Sequence, residues 1–145
     1  METSIKGAPE MDLDFNLESN HINPELMNPL IWAYVGDAVY ELYVRTHLVT
    51  RGPSKVNQLH SESIKYVKAS AQADFVRKIT ESLSEDEIRI MKKGRNTKST
   101  VPKNADVADY RYSTGLEGLL GYLYLQNKKE RLMEILDMLD LEKEV

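Results

Sequence analysis

Leu30-Ile31-Trp32-Ala33-Tyr34-Val35-Gly36-Asp37-Ala38-Val39-Tyr40-Glu41-Leu42-Tyr43-Val44-Arg45 sets an acid in the middle of a long apolar run. Ile31, Val35, Ala38, Val39 and Leu42 recur at helical spacing and predict one apolar stripe on an amphipathic or buried helix. Asp37 lies off that stripe, at about 100° per residue, on a side shared with Leu30, Ala33, Tyr34, Tyr40, Glu41 and Val44. That second side is also mostly apolar. A carboxylate covered by apolar neighbours needs hydrogen-bond donors, a cation or a metal. A lone acid on a helix is more often simply solvated, so a second, matching acid is what would give Asp37 a function.

The chain has 145 residues, enough for one domain with a real core and too few for two. It contains no cysteine, which removes disulfides, thiolate nucleophiles and cysteine-ligated metal sites and fits a reducing interior. No signal peptide opens it, and no run approaches the roughly 20 apolar residues that cross a bilayer, so a soluble, cytoplasmic protein with no membrane partner is expected. The net charge is −4, but six acids and one base fall in residues 1–25, leaving 17 acids against 18 bases in the rest. A polyanion would therefore have to be held by a local basic patch.

Residues 1–22 mix Gly, Pro, Asn and acids without periodicity and predict a mobile N-terminal extension; residues 23–145 form the domain. Asn23-Pro24 predicts a helix start, with the helix reaching about His47 and bending near Pro29. Arg51-Gly52-Pro53-Ser54 reads as a turn. Ser54 to Ser82 lacks Pro and Gly and keeps a rough 3.6-residue beat, which predicts one long helix or two with a bend. Ser84-Glu85-Asp86-Glu87 carries capping-box spacing and opens a helix that should stop around Gly94. Asp106–Gln126 and Glu130–Leu141 complete the set. No segment alternates with period two, so the fold class is all-α.

The second acid is Glu117. It follows Leu116 and precedes Gly118-Leu119-Leu120-Gly121, sharing a helix side with Asp106, Tyr110, Ser113, Thr114 and Tyr124. Small residues at Ala33, Gly36, Gly118 and Gly121 let two helices approach closely and bring Asp37 and Glu117 into one cleft. Paired carboxylates from two helices suit a hard divalent cation such as Mg²⁺, which takes oxygen ligands and keeps several waters. Between the helices, Lys92 to Asn104 holds five bases and no acid. A loop with Lys92, Lys93, Arg95, Asn96, Lys98, Lys103 and Asn104 suits phosphates, neutralising charge and bonding backbone oxygens without reading bases. His21, His47 and His60 have no metal-ligand spacing, and the helical spacing of the tyrosines favours packing over base stacking.

Tyr34-Val35-Gly36-Asp37-Ala38-Val39-Tyr40-Glu41 resembles the signature helix of the ribonuclease III catalytic domain, and Glu117-Gly118-Leu119-Leu120-Gly121 resembles that family's second acidic helix. Arg95-Asn96-x-Lys98, Pro102-Lys103-Asn104 and Tyr110-Arg111-Tyr112-Ser113-Thr114-Gly115 look like motifs of its Mini-III branch, which consists of the catalytic domain alone. The resemblance implies a homodimeric, Mg²⁺-dependent endoribonuclease that cleaves double-stranded RNA to 5′-phosphate and 3′-hydroxyl ends. It also implies Asp37 and Glu117 as catalytic metal ligands, and a natural substrate in precursor large-subunit (23S) ribosomal RNA, in a pre-ribosome or ribosomal-protein context. Full-length members carry two further acids where this chain has Ala33 and Thr114, which implies a metal shell completed by waters and phosphate oxygens. The alternatives are a ribonuclease III-like dimer that binds structured RNA without cutting it, and a helical interaction module whose acids are merely solvated.

Overall fold

Asn28 and Pro29 decide where the central helix begins. The Asn28 side-chain oxygen accepts a hydrogen bond from the Leu30 N–H at 2.8 Å, and Pro29 takes the first helical position, where no N–H is needed. The structure is a computed structural model in which residues 22–141 are described. Helix α1 spans Pro29–Thr50. The expected start at Pro24 is corrected: Pro24–Leu26 is only a 3-10 turn, capped by Asn23, and Pro29 opens a new helix rather than bending an old one. The expected extension over residues 1–22 lies, apart from Ile22, outside the described residues.

The remaining helices are α2 (Val56–Val67), α3 (Ala69–Ile79), α4 (Glu85–Asn96), α5 (Val107–Leu125) and α6 (Lys129–Leu136). No strand occurs among the described residues, in agreement with an all-α fold. The Ser54–Ser82 stretch resolves as two helices that break at Lys68, whose backbone is extended at φ −67° and ψ 155°. Ser84 and Glu87 exchange the expected reciprocal capping bonds. Asp106 caps α5 through the Asp109 N–H at 2.9 Å. The last helix ends at Leu136, short of the predicted Leu141, after burying Leu132, Ile135 and Leu136.

Helix α5 is the axis of the domain. Helices α1, α3 and α4 pack around it, and Ser113–Leu116 and Gly118–Leu123 are buried on nearly every side. The aliphatic stripe predicted for α1 does not make the core. Ile31 and Leu42 are 48% and 42% exposed, Ala38 is exposed, Val35 is half-buried, and only Val39 is buried. The inward face is instead Trp32, Ala33, Gly36, Val39, Tyr40, Tyr43, Val44, His47 and Leu48. Aromatic residues can turn inward here because each polar tip finds an acceptor. Trp32 Nε1 donates to the Pro24 carbonyl at 2.8 Å, Tyr40 Oη to the Tyr66 carbonyl at 2.9 Å and Tyr43 Oη to Asp137 at 2.6 Å. Periodicity alone counts the aliphatic residues and misses these partners.

Gly94 does not end α4. It lies inside the helix where α4 crosses α5, and a Cβ there would come within 3.2 Å of the Thr114 carbonyl oxygen and 3.3 Å of the Gly115 Cα. Helix α4 therefore continues to Asn96, and Lys92, Lys93, Arg95 and Asn96 are helical rather than parts of a loop.

Candidate active site

Two glycines bring the acids together. A Cβ on Gly36 would fall onto the Glu117 carbonyl oxygen and 2.8 Å from the Gly121 nitrogen; one on Gly121 would fall onto the Trp32 carbonyl oxygen and 2.9 Å from the Gly36 nitrogen. The backbones of α1 and α5 thus touch, as the sequence predicted for these two positions. Gly118, grouped with them from sequence, has its nearest neighbour at 3.7 Å and faces Gly94, Pro29 and Trp32. Asp37 follows the contact residue Gly36, and Glu117 supplies the carbonyl that Gly36 meets. Their side chains consequently emerge at the same crossing, Asp37 toward solvent and Glu117 half-buried beneath it.

The two carboxyls are hydrogen-bonded to each other. Burial, followed by the charge of Asp37, pushes the Glu117 carboxyl up to about 8, against an opposing bond from Gln72. Asp37 is also raised, first by burial and then by the nearby Glu41 charge, while the bond from Glu117 acts the other way. At neutral pH the pair keeps a proton between its two carboxyls, because two charges this close and this dry cannot both persist.

The donor set suits a small hard cation. Two converging carboxylates from α1 and α5 are oxygen donors of the kind that Mg²⁺ takes from proteins, with waters and substrate phosphates supplying the rest. Among the described residues no group of three or more His, Cys, Asp and Glu side chains is placed to hold a metal. Ala33 is buried, and Thr114 Oγ1 donates back to the Tyr110 carbonyl at 3.0 Å. Asp106 is engaged in its cap, and Glu41 pairs with Arg45 at 2.9 Å.

The residues expected to grip phosphates fall into two groups. Lys92, Lys93, Arg95 and Asn96 lie on α4, and Lys98, Lys103 and Asn104 are exposed on the segment joining α4 to α5. Arg95 is anchored: its Nε donates to Asn96 at 2.9 Å, its Nη1 to Tyr112 Oη at 3.4 Å, and its guanidinium lies 5.4 Å from the Tyr112 ring centroid. Arg77 of α3 stands 4.6 Å from the same centroid and pairs with Asp109 at 3.4 Å. Tyr112 therefore gathers a cation from α3 and another from α4 beside α5.

The ribonuclease III domain family matches residues 30–128. The chain belongs to this family. Mini-ribonuclease 3 of Clostridium tetani is 52% identical to it over 114 residues, covering 77% of this chain and 76% of that protein. Mini-ribonuclease 3 of Staphylococcus aureus is 46% identical over 125 residues, covering 84% and 92%. A crystal structure of a Fusobacterium nucleatum protein superposes with a TM-score of 0.71 at 30% identity, covering 78% of this chain and 91% of that one. This ribonuclease III domain is accordingly an endoribonuclease of the Mini-ribonuclease 3 kind.

Three residues of this ribonuclease III domain make contacts that the sequence did not foretell. Gln72 is buried and its amide reaches Glu117 at 3.1 Å; Arg77 and Tyr112 complete the cationic cluster. Arg77 carries no signal in the one-dimensional pattern, and Tyr112 lies in the Tyr110-to-Gly115 motif, which does not disclose the cations it gathers. Gln72, a polar residue in Ala69-Ser70-Ala71-Gln72-Ala73, has as its one sequence signal its polarity within an otherwise apolar beat.

Proposed function

We propose that this ribonuclease III domain cleaves double-stranded RNA as a Mg²⁺-dependent homodimer in the cytoplasm, leaving 5′-phosphate and 3′-hydroxyl ends, and that precursor large-subunit (23S) ribosomal RNA is its substrate. The observation that carries the reading is the convergence of Asp37 and Glu117, from α1 and α5, into one proton-sharing pair. Asp37 and Glu117 would hold the ion. When bound, Mg²⁺ supplies Lewis acidity, acidifying water and neutralising charge that develops at the scissile phosphate. The protein's own part is to keep the two carboxylates fixed and partly dry, so that their attraction for a cation is weakened little by solvent.

Lys92, Lys93, Arg95, Asn96, Lys98, Lys103 and Asn104 would grip the RNA backbone, joined by Arg77. Contacts to phosphates position a duplex without reading its sequence, and A-form RNA is recognised mainly through its shape and backbone. The exposed face of α1, with Ile31, Tyr34 and Leu42, is the surface on which a second subunit would sit. Residues 23–145 would constitute the catalytic domain and residues 1–22 an extension to it. The ribosomal substrate follows from the resemblance to Mini-III enzymes and from nothing in the site itself.

Incubation of a long duplex RNA with Mg²⁺ tests the reading, with Asp37→Asn and Glu117→Gln proteins shown to be folded as controls. Cutting by the wild type and loss in both variants is expected. Equal cutting by all three would remove the acids from the mechanism, and RNA binding with no cutting would leave a binding protein.

A further inference from the structure

Gln72 occupies an unusual position for an amide. It lies on α3 within the core, 2% exposed, one turn after the Lys68 break. Its Nε2 donates to the Val67 carbonyl at 2.8 Å and to Glu117 Oε2 at 3.1 Å, which uses both hydrogens. Its Oε1 is buried and meets no donor among the described residues. Turning the amide over would set an acceptor against the Val67 carbonyl, so the two acceptors determine its orientation. Packing does not account for the residue: an apolar side chain of equal length would cover the same surface without stranding an oxygen. What the amide contributes is a tie from the last carbonyl of α2 to the Glu117 carboxyl. Tyr40 Oη, donating to the Tyr66 carbonyl at 2.9 Å, holds the same break against α1. The α2–α3 break is thereby fastened to the helices that bear both acids.

We infer that Gln72 is a positioning residue for metal binding, holding Glu117 Oε2 in place through an amide braced on the Val67 carbonyl and so fixing how the carboxylate faces the cation. The inference rests on Glu117 being a metal ligand. Partners of this kind orient ligating carboxylates and typically change metal affinity by about 10- to 100-fold when removed.

Mn²⁺ binding to the full chain without RNA, measured by calorimetry, tests it in the wild type and in Gln72→Met, a side chain of similar length that keeps the volume. Mn²⁺ affinity should fall about 10-fold in the variant, while its affinity for a duplex RNA in EDTA at fixed salt stays within about twofold, as for a change confined to the metal site. An unchanged Mn²⁺ isotherm overturns the inference, and so does a matching loss of metal and RNA binding, which a loosened fold would produce. A measurement on the unaltered protein serves if the variant does not fold. The side-chain amide resonances of Gln72 should shift with Mg²⁺ along the binding isotherm, and stationary resonances would refute the role. A wild type that binds no Mn²⁺ and cuts no RNA defeats the metal reading itself; one that does both while Gln72→Met matches it defeats only the role of Gln72.

Discussion

The Glu117 carboxyl of α5 meets the Asp37 carboxyl of α1, and burial together with the Asp37 charge pushes Glu117 up to about 8, so the pair keeps a proton at neutral pH. The metal-free protein should therefore be strained by alkali. Glu117 ionises near 4.5 in a free chain and near 8 in the fold, so across that window the folded state holds more protons than the unfolded one. The contribution of Glu117 to stability is full below about 4.5 and is lost as pH rises through about 8. Glu117→Gln should abolish most of this slope and, at pH 8 without metal, raise stability by on the order of 2 kcal/mol. Urea unfolding at several pH values checks it; parallel curves for the two proteins would contradict the assignment.

On the proposed reading, a metal held by Asp37 and Glu117 would displace that proton. Binding of Mg²⁺ near pH 7 should release close to one proton per ion and tighten as pH rises toward 8. Calorimetry in two buffers of different ionisation enthalpy reads the release directly, and identical heats in both buffers would exclude it.

The glycines at the α1–α5 crossing should behave unequally. Gly36→Ala and Gly121→Ala each set a methyl onto a backbone carbonyl and should cost about 3 kcal/mol or more, since neither helix can yield locally. Gly118→Ala has ordinary contact space and should range from neutral to about 1 kcal/mol stabilising, from helix propensity. Thermal melts of the three variants distinguish steric contact from a general preference for small residues.

Arg95 and Arg77 flank Tyr112 as a paired cationic feature. Alanine at either position should weaken duplex RNA binding without altering Mn²⁺ affinity, and should lower the salt dependence of binding by about one unit of slope for each phosphate that the arginine neutralises. Titrations at several salt concentrations test this; an unchanged slope removes that arginine from the RNA surface.

Leu42, 42% exposed on the outer face of α1, should lie within the subunit interface. Leu42→Glu would then yield a folded monomer by light scattering, whereas the wild type should run as a dimer. A monomeric wild type would refute the assembly.

Much of the fold was legible because its signals are local. Ser84 with Glu87 and Asp106 before α5 act through hydrogen bonds spanning three residues, which a linear pattern contains, whereas the Asn28-Pro29 start of α1 was hidden by the same Asn-Pro pair at Asn23-Pro24. The Asp37–Glu117 encounter was also foreseeable, since glycines marked both sides of the crossing. Gly94 misled for the converse reason. The residue type that ends helices also permits close contact between them, and only the presence of α5 decides which role applies.

By itself, then, the amino-acid order determined an all-helical chain, the helix starts at Ser84 and Asp106, and the two acids placed to meet. Tertiary structure alone decided which face of α1 is the core, that Lys92 to Asn96 belong to a helix, and that Gln72 grips Glu117. Those outcomes depend on partners supplied by distant segments: acceptors for Trp32 and Tyr40, a groove for Gly94, and a carboxyl 45 residues away for Gln72. Burial and hydrogen bonding across such separations leave no period in the sequence to read.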